Sequence, residues 1–281
     1  MANVLANLPH GTFSPGVLTR LVLTLSQNTV LGRGRARRIM AHALRALNKG
    51  PLDVTLFGLR ARLYLRNNNS EIKALLRPDR YARREIEFAA KLLPPKGGVV
   101  IDIGANAGLF ALRIASIMRG GVLIAAEPQP RLFERLVTNL EKLNLNRPNG
   151  PVCKFWNCAI GAENASSDLY VPKQLGQASL EHKVDGAAMI SVPLRTLRSV
   201  VEDAGIDTVD LLKMDIEGYE DRVLAAFFAE APSSLFPRGI VLEHCHSDRW
   251  KRDCDGILIA KGYHCVGRDR SNTLYSLREP T

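Results

Sequence analysis

Asp215 and Glu217 stand two residues apart at the end of an apolar run, Leu211-Leu-Lys-Met214, and Gly218 follows them. Carboxylates at that spacing share a face if the strand continues. Each can tune the other's pKa, take up a proton or face a cation. His244 ends a second run, inside the stretch Leu242-Glu-His-Cys-His246. An imidazole at a strand end is a candidate proton acceptor near neutral pH. Neither the acid pair nor the His-x-His brings a clear third ligand, so no metal centre is expected.

A further constellation is Val99-Val-Ile-Asp-Ile103 running into Gly104-Ala-Asn106-Ala-Gly108. Gly104 lets the backbone turn tightly, and Gly108 is expected to allow close approach of a ligand. Dinucleotide sites use G-x-G-x-x-G. Here Asn106 stands at the second glycine and the third is missing, which suits a ligand without phosphate whose amino-acid moiety needs polar contacts. Asp102, at the strand end, could bind an ammonium group through the turn or a water. Glu127 ends the next apolar run, 23 residues after Gly104. A carboxylate there can accept from both hydroxyls of a ribose and would repel a 2′-phosphate.

These residues need elements to hold them. After Lys96 short apolar runs alternate with helical patterns: strands at 99–103, 121–126, 152–159, 190–193, 210–215 and 239–243, and helices at 109–119, 130–143, 197–204, 219–228 and 253–261. Strands at 263–267 and 273–277 close the chain, and 161–187 reads as polar and irregular. Alternating strands and helices predict an α/β fold with a mostly parallel sheet and an antiparallel edge. Before Lys96, helices are expected at 17–30, 34–48 and 79–93, a hairpin at 52–57 and 59–66, and a turn at 67–70.

The net charge of +10 is unevenly placed. Residues 1–95 hold 16 Lys and Arg against 5 Asp and Glu, and residues 96–281 hold 22 against 23. We therefore expect a basic accessory region, 1–79, with helices and a hairpin, and an α/β domain, 80–281. No run of 18 apolar residues predicts a membrane-spanning helix. Residues 1–16 carry no Lys or Arg, and Pro9 and Pro15 interrupt them, so no leader is expected. Five cysteines, at 153, 158, 245, 254 and 265, form no Cys-x-x-Cys pair and read as buried free thiols of a cytoplasmic protein.

The run Val-Ile-Asp-Ile-Gly-Ala-Asn-Ala-Gly, then Glu127-Pro128, then Asn157-Cys-Ala-Ile-Gly161, then Leu-Lys-Met-Asp-Ile-Glu-Gly-Tyr-Glu, together resemble the FkbM family of methyltransferases. The resemblance spans roughly residues 80–245 and implies a Rossmann-like class I fold with a mostly parallel seven-stranded sheet, and S-adenosylmethionine as cofactor. It implies that Asp102, Gly104, Asn106 and Gly108 line the methionine end, that Glu127 takes the ribose, and that Asn157 and Ala159 lie beside the adenine. Lys213, Asp215 and Glu217 would face the transfer centre. Family members methylate hydroxyls of sugars or polyketides, so the expected acceptor is a hydroxyl of a sugar, a glycolipid or another small metabolite. The Asp/Asn-Pro-Pro-Tyr of exocyclic amine methylation and the Pro-Cys of cytosine C5 enzymes are absent. Two alternatives use the basic amino-terminal region: an RNA methyltransferase, or a non-catalytic adaptor whose helices make peripheral contact with an anionic membrane. With aromatic residues at 6% and no RNA-module motif among the arginines, nucleic acid is not favoured.

Overall fold

The computed structural model describes residues 5, 7–144, 148–172, 175, 178–180 and 187–278. Residues 1–4 and 6, read above for a leader, lie outside the described residues, as do ten positions of the 161–187 stretch: 173, 174, 176, 177 and 181–186.

The amino-terminal portion holds α1 (Val17–Asn28), α2 (Gly34–Leu47), the hairpin β1 (Leu52–Leu56) and β2 (Leu59–Leu63), α3 (Asn69–Leu76) and α4 (Arg83–Leu92). The α/β portion follows as β3 (Val99–Ile103), α5 (Leu109–Ile117), β4 (Val122–Ala126), α6 (Pro130–Val137), β5 (Val152–Trp156), β6 (Ala159–Gly161), β7 (Ala165–Val171) and β8 (Ala188–Thr196). It ends with α7 (Leu197–Asp203), β9 (Leu211–Met214), α8 (Glu220–Glu230), β10 (Gly239–Glu243), α9 (Cys254–Ala260), β11 (Tyr263–Arg268) and β12 (Asn272–Leu277).

Seven strands form one sheet in the order β11-β12-β10-β9-β3-β4-β5. β12 is antiparallel to β10 and β11, and the remaining neighbours are parallel. The central strands are apolar on both faces because helices cover both. Val100, Leu123, Leu211 and Val241 point into one core with α4, α5 and the amino-terminal elements. Ile101, Ile124, Leu212 and Ile240 point into the other, with α7, α8 and α9. The first core is continuous from Leu44, Leu63 and Leu75 through Ile86 to Phe110 and Leu112.

Register aligns the strand ends. Ile103 lies opposite both Ala126 and Met214, and Met214 opposite Leu242. The next residues, Gly104, Glu127, Asp215 and Glu243, therefore leave the sheet in one row at its carboxyl edge, where open α/β sheets bind ligands.

Several local expectations are corrected. Residues 67–70 do not only turn: Asn68 accepts hydrogen bonds from the backbone N–H groups of Ser70 and Glu71 and so starts α3. The helix expected from 79 begins at Arg83, after Ala82 at φ 48°. The strand expected over 152–159 breaks after Trp156, and Ala159–Gly161 joins a separate three-stranded sheet, β6-β8-β7. Its longer strands cover 165–171 and 188–196: the strand expected at 190–193 lies within the second, and polar, largely exposed residues such as Ser166 and Asp168 hid the first. The thiols are free, but Cys245 and Cys265 are exposed and only Cys158 and Cys254 are buried.

Candidate active site

A cavity of about 480 Å³ opens over the carboxyl edge of the sheet. Its floor is the row Gly104, Glu127, Asp215 and Glu243. Gly104 has φ 73°, and a Cβ there would lie 1.9 Å from the carbonyl oxygen of Asp215. The chain leaving β3 thus passes the chain leaving β9 backbone to backbone, which only glycine allows. Asn106 also takes a left-handed conformation, φ 55°. Asn tolerates it because its short amide bonds locally: its Oδ1 accepts from Ala107 N at 2.8 Å and from Asn68 Nδ2 at 2.5 Å.

Glu127 is buried, and each carboxylate oxygen accepts one backbone N–H: Oε2 from Asn106 at 2.8 Å and Oε1 from Gln129 at 3.0 Å. Burial pushes its pKa up to about 7 against those two hydrogen bonds. Each oxygen retains a second acceptor site toward the cavity. Beyond Glu127 the wall is apolar, with Leu132, Cys158, Ala159, Ile160 and Leu169.

The opposite end is charged. Lys213 Nζ lies 3.2 Å from Asp102 Oδ1, 3.6 Å from Asp215 Oδ2 and 5.3 Å from the centre of the Phe110 ring. Burial works against its charge, but Asp102 and Asp215 outweigh it and hold the ammonium above its usual range. Glu217 sits at φ 59°, with Oε2 3.2 Å from His246 Nδ1. Glu243 Oε2 is 3.9 Å from the same nitrogen. Burial, then the neighbouring Asp215, pushes Glu217 up to about 8 and Glu243 up to about 7. Glu220 is occupied structurally, accepting from Ile216 N and from Trp250 Nε1.

Of the residues singled out in the sequence, Gly104, Asn106, Glu127, Ala159, Lys213, Asp215 and Glu217 line the cavity together. Four others do not. Asp102 lies wholly buried beneath it, paired with Lys213. Gly108 is dictated by packing: a Cβ there would meet Leu136 Cδ1 at 2.7 Å, so its close neighbour is α6 and not a ligand. Asn157 is exposed and donates to the carbonyls of Glu127 and Pro128, tying two loops. His244 points away from the cavity to Thr273 Oγ1 at 3.0 Å, because side chains alternate and Glu243 takes the inner side. The turn after β10 then returns His246 to the cavity. Sequence reasoning also missed Asn68, Tyr81 and Glu85, which the amino-terminal elements place in the wall. The Asn68-Asn-Ser-Glu71 capping pattern was the available signal.

This sheet order, with a glycine turn after the first central strand and an acid after the second, is that of the Rossmann-like class I methyltransferases. The methyltransferase FkbM domain matches residues 102–261, more than half of the chain, and the chain belongs to that family. It is a methyltransferase, and S-adenosylmethionine is its methyl donor. The chain is 26% identical over 207 residues to methyltransferase sdnD of Sordaria araneosa, covering 63% of this chain and 77% of that protein. It is 28% identical over 151 residues to the 2-O-methyltransferase NoeI of Sinorhizobium fredii, covering 48% and 59%. A methyltransferase structure from Pyrococcus furiosus aligns over 86% of this chain and 96% of its own at 15% identity, with a TM-score of 0.42.

The residues present fit the donor. The cavity has the volume of an ordinary small-ligand site. A buried acceptor-only carboxylate, Glu127, stands between an apolar wall and a charged end. No helix among the described residues is long and apolar enough to cross a membrane.

Proposed function

We propose that this methyltransferase transfers its methyl group to a hydroxyl oxygen of a sugar, glycolipid or other small metabolite. One observation carries the reading: His246 lies against Glu217 and Glu243 at the charged end of the cavity, beside Asp215. An oxygen acceptor must lose its proton as the new C–O bond forms, and an imidazole backed by carboxylates is suited to take it.

When bound, the cofactor supplies an electrophilic methyl group on a sulfonium centre. Glu127 accepts from the ribose hydroxyls, and Ala159 with Cys158 and Ile160 gives the adenine an apolar wall. Gly104 and Asn106 shape the turn at the methionine end, while Gly108, Asp102 and Asn157 act behind the wall as supports. Lys213 holds Asp215 in place, and Asp215 orients the acceptor by accepting a hydrogen bond from a neighbouring hydroxyl, which leaves the proton of the reacting hydroxyl to His246. His246 receives the hydroxyl proton, and Glu217 and Glu243 stabilise the resulting imidazolium. Residues 1–79 serve as an accessory layer that completes the wall through Asn68 and Lys73.

Turnover with radiolabelled methyl donor against glycans, glycolipids, amines and RNA tests this reading. The expected product carries label on oxygen in a glycan or small hydroxyl compound. Label on nitrogen, or on RNA alone, would overturn it.

A further inference from the structure

α1 and α2 pack against one another and both rest on α3, so their inner sides are taken. Thr19, Ser26, Ala41 and Leu44 face inward and are buried. The outer side is mixed in a specific way. Val17, Leu18 and Leu21 of α1, Val30 of the connecting turn and Ile39 of α2 are 53–75% exposed. Between them stand Arg20, Arg33, Arg35, Arg37 and Arg38, also exposed. No Asp or Glu occurs before Asp53, and Asp53 is itself buried against Arg62 at 2.7 Å. Among the described residues no carboxylate pairs with any of these five arginines.

We propose that this outer face of α1 and α2 docks on an anionic lipid bilayer. Aliphatic side chains at the level of arginine heads match an interface in which acyl chains lie beneath phosphate groups. The helices have 12 and 14 residues, so they lie along the surface and do not span it. RNA would satisfy the arginines but offers nothing to exposed Val17, Leu18, Val30 and Ile39. A second copy of the chain would cover the aliphatic groups but set arginines against arginines, with no acid on either side. A bilayer satisfies both sets. This docking is independent of the acceptor proposed above, since it is read without any turnover.

The test is sedimentation of the full chain with vesicles of phosphatidylcholine alone or of phosphatidylcholine with phosphatidylserine. The expected result is binding to the anionic vesicles only, weakened by salt. The double variant Leu18→Glu/Leu21→Glu should lose binding by at least about tenfold, with an unchanged melting temperature and unchanged donor affinity. Arg35→Gln/Arg38→Gln should lose about fivefold for each arginine. Absence of binding to anionic vesicles at low salt overturns the proposal, as does wild-type vesicle binding by the glutamate variant. So does a concentration-dependent dimer that Leu18→Glu dissolves, or binding of an RNA oligonucleotide in place of vesicles.

Discussion

Asn68 Nδ2 donates to Asn106 Oδ1 across 2.5 Å, and that bond joins the start of α3 to the turn that follows β3. The same Asn68 caps α3 through its Oδ1, so one side chain holds a helix end and the left-handed residue of the turn together. Asn68→Ala should lower stability by about 0.5–2 kcal/mol, the cost of a lost cap. It should also weaken binding of S-adenosylmethionine several-fold, read by calorimetry. Unchanged affinity would mean that the turn keeps its shape without this partner.

Glu127 and Glu243 are the two buried carboxylates of the floor row, and Glu127 is the one whose oxygens each accept a backbone N–H beside the apolar wall. Glu127→Ala should weaken donor binding by roughly 1.5–3 kcal/mol, as for hydrogen bonds to a charged group. Calorimetry at fixed pH measures it directly.

His246 and His244 differ by two positions and by the side of β10 to which they belong. His246→Gln should cut kcat by about 10²–10⁴ while donor affinity stays near the parent value. His244→Gln should leave both close to wild type. The reverse pattern, in steady-state kinetics of the two variants, would move the proton acceptor to the other residue.

Glu217 has an ordinary pKa of 4.5 and is held at about 8 in the folded chain, first by burial and then by Asp215 and Glu243. The folded state therefore binds this proton more tightly than the unfolded state. Its contribution to stability is complete below about pH 4.5 and is lost as pH rises through about 8. Glu217→Gln should flatten the fall in melting temperature across that window. At about pH 8 the variant should exceed wild type by on the order of 2 kcal/mol. Parallel pH-melting curves for the two proteins would sink the idea.

Gly108→Ala places a Cβ 2.7 Å from Leu136 Cδ1 at φ 80°. It should cost about 1–3 kcal/mol of stability by overpacking and backbone strain. Chemical denaturation measures this, and the affinity of the folded fraction for donor should be nearly unchanged.

The sheet was legible because Val99–Ile103, Leu123–Ala126 and Leu211–Met214 lie between two helical layers, which forces runs that are apolar apart from the buried pair Asp102 and Lys213. The glycine turn and Glu127 were legible because backbone approach and an acceptor-only group each restrict the residue type. The side of β10 was not: both histidines follow Glu243, and only the turn geometry after the strand decides which one faces inward. Nor was the role of Gly108, since a glycine that admits a ligand and one that admits Leu136 look alike in sequence. The small sheet was legible only in part, at 190–193 inside β8, because its strands pair along the surface, where no alternation of apolar residues is needed. Asn68 and Tyr81 escaped because residues far ahead of the motifs reach the cavity only through the shared core.

Asn139 is wholly buried; its Oδ1 accepts from Arg62 N in β2 at 2.8 Å and its Nδ2 donates to Ala107 O in the glycine turn at 2.9 Å. One amide thus fastens the hairpin near the beginning of the chain to the glycine turn after β3. Heat or denaturant cannot peel the hairpin away and leave the loop as it was, because Asn139 would lose the buried partner that fixes its amide. The whole chain should therefore melt in a single step. Amide hydrogens of β2 and of β3 should exchange with solvent at the same slow rate, as parts of one cooperative unit.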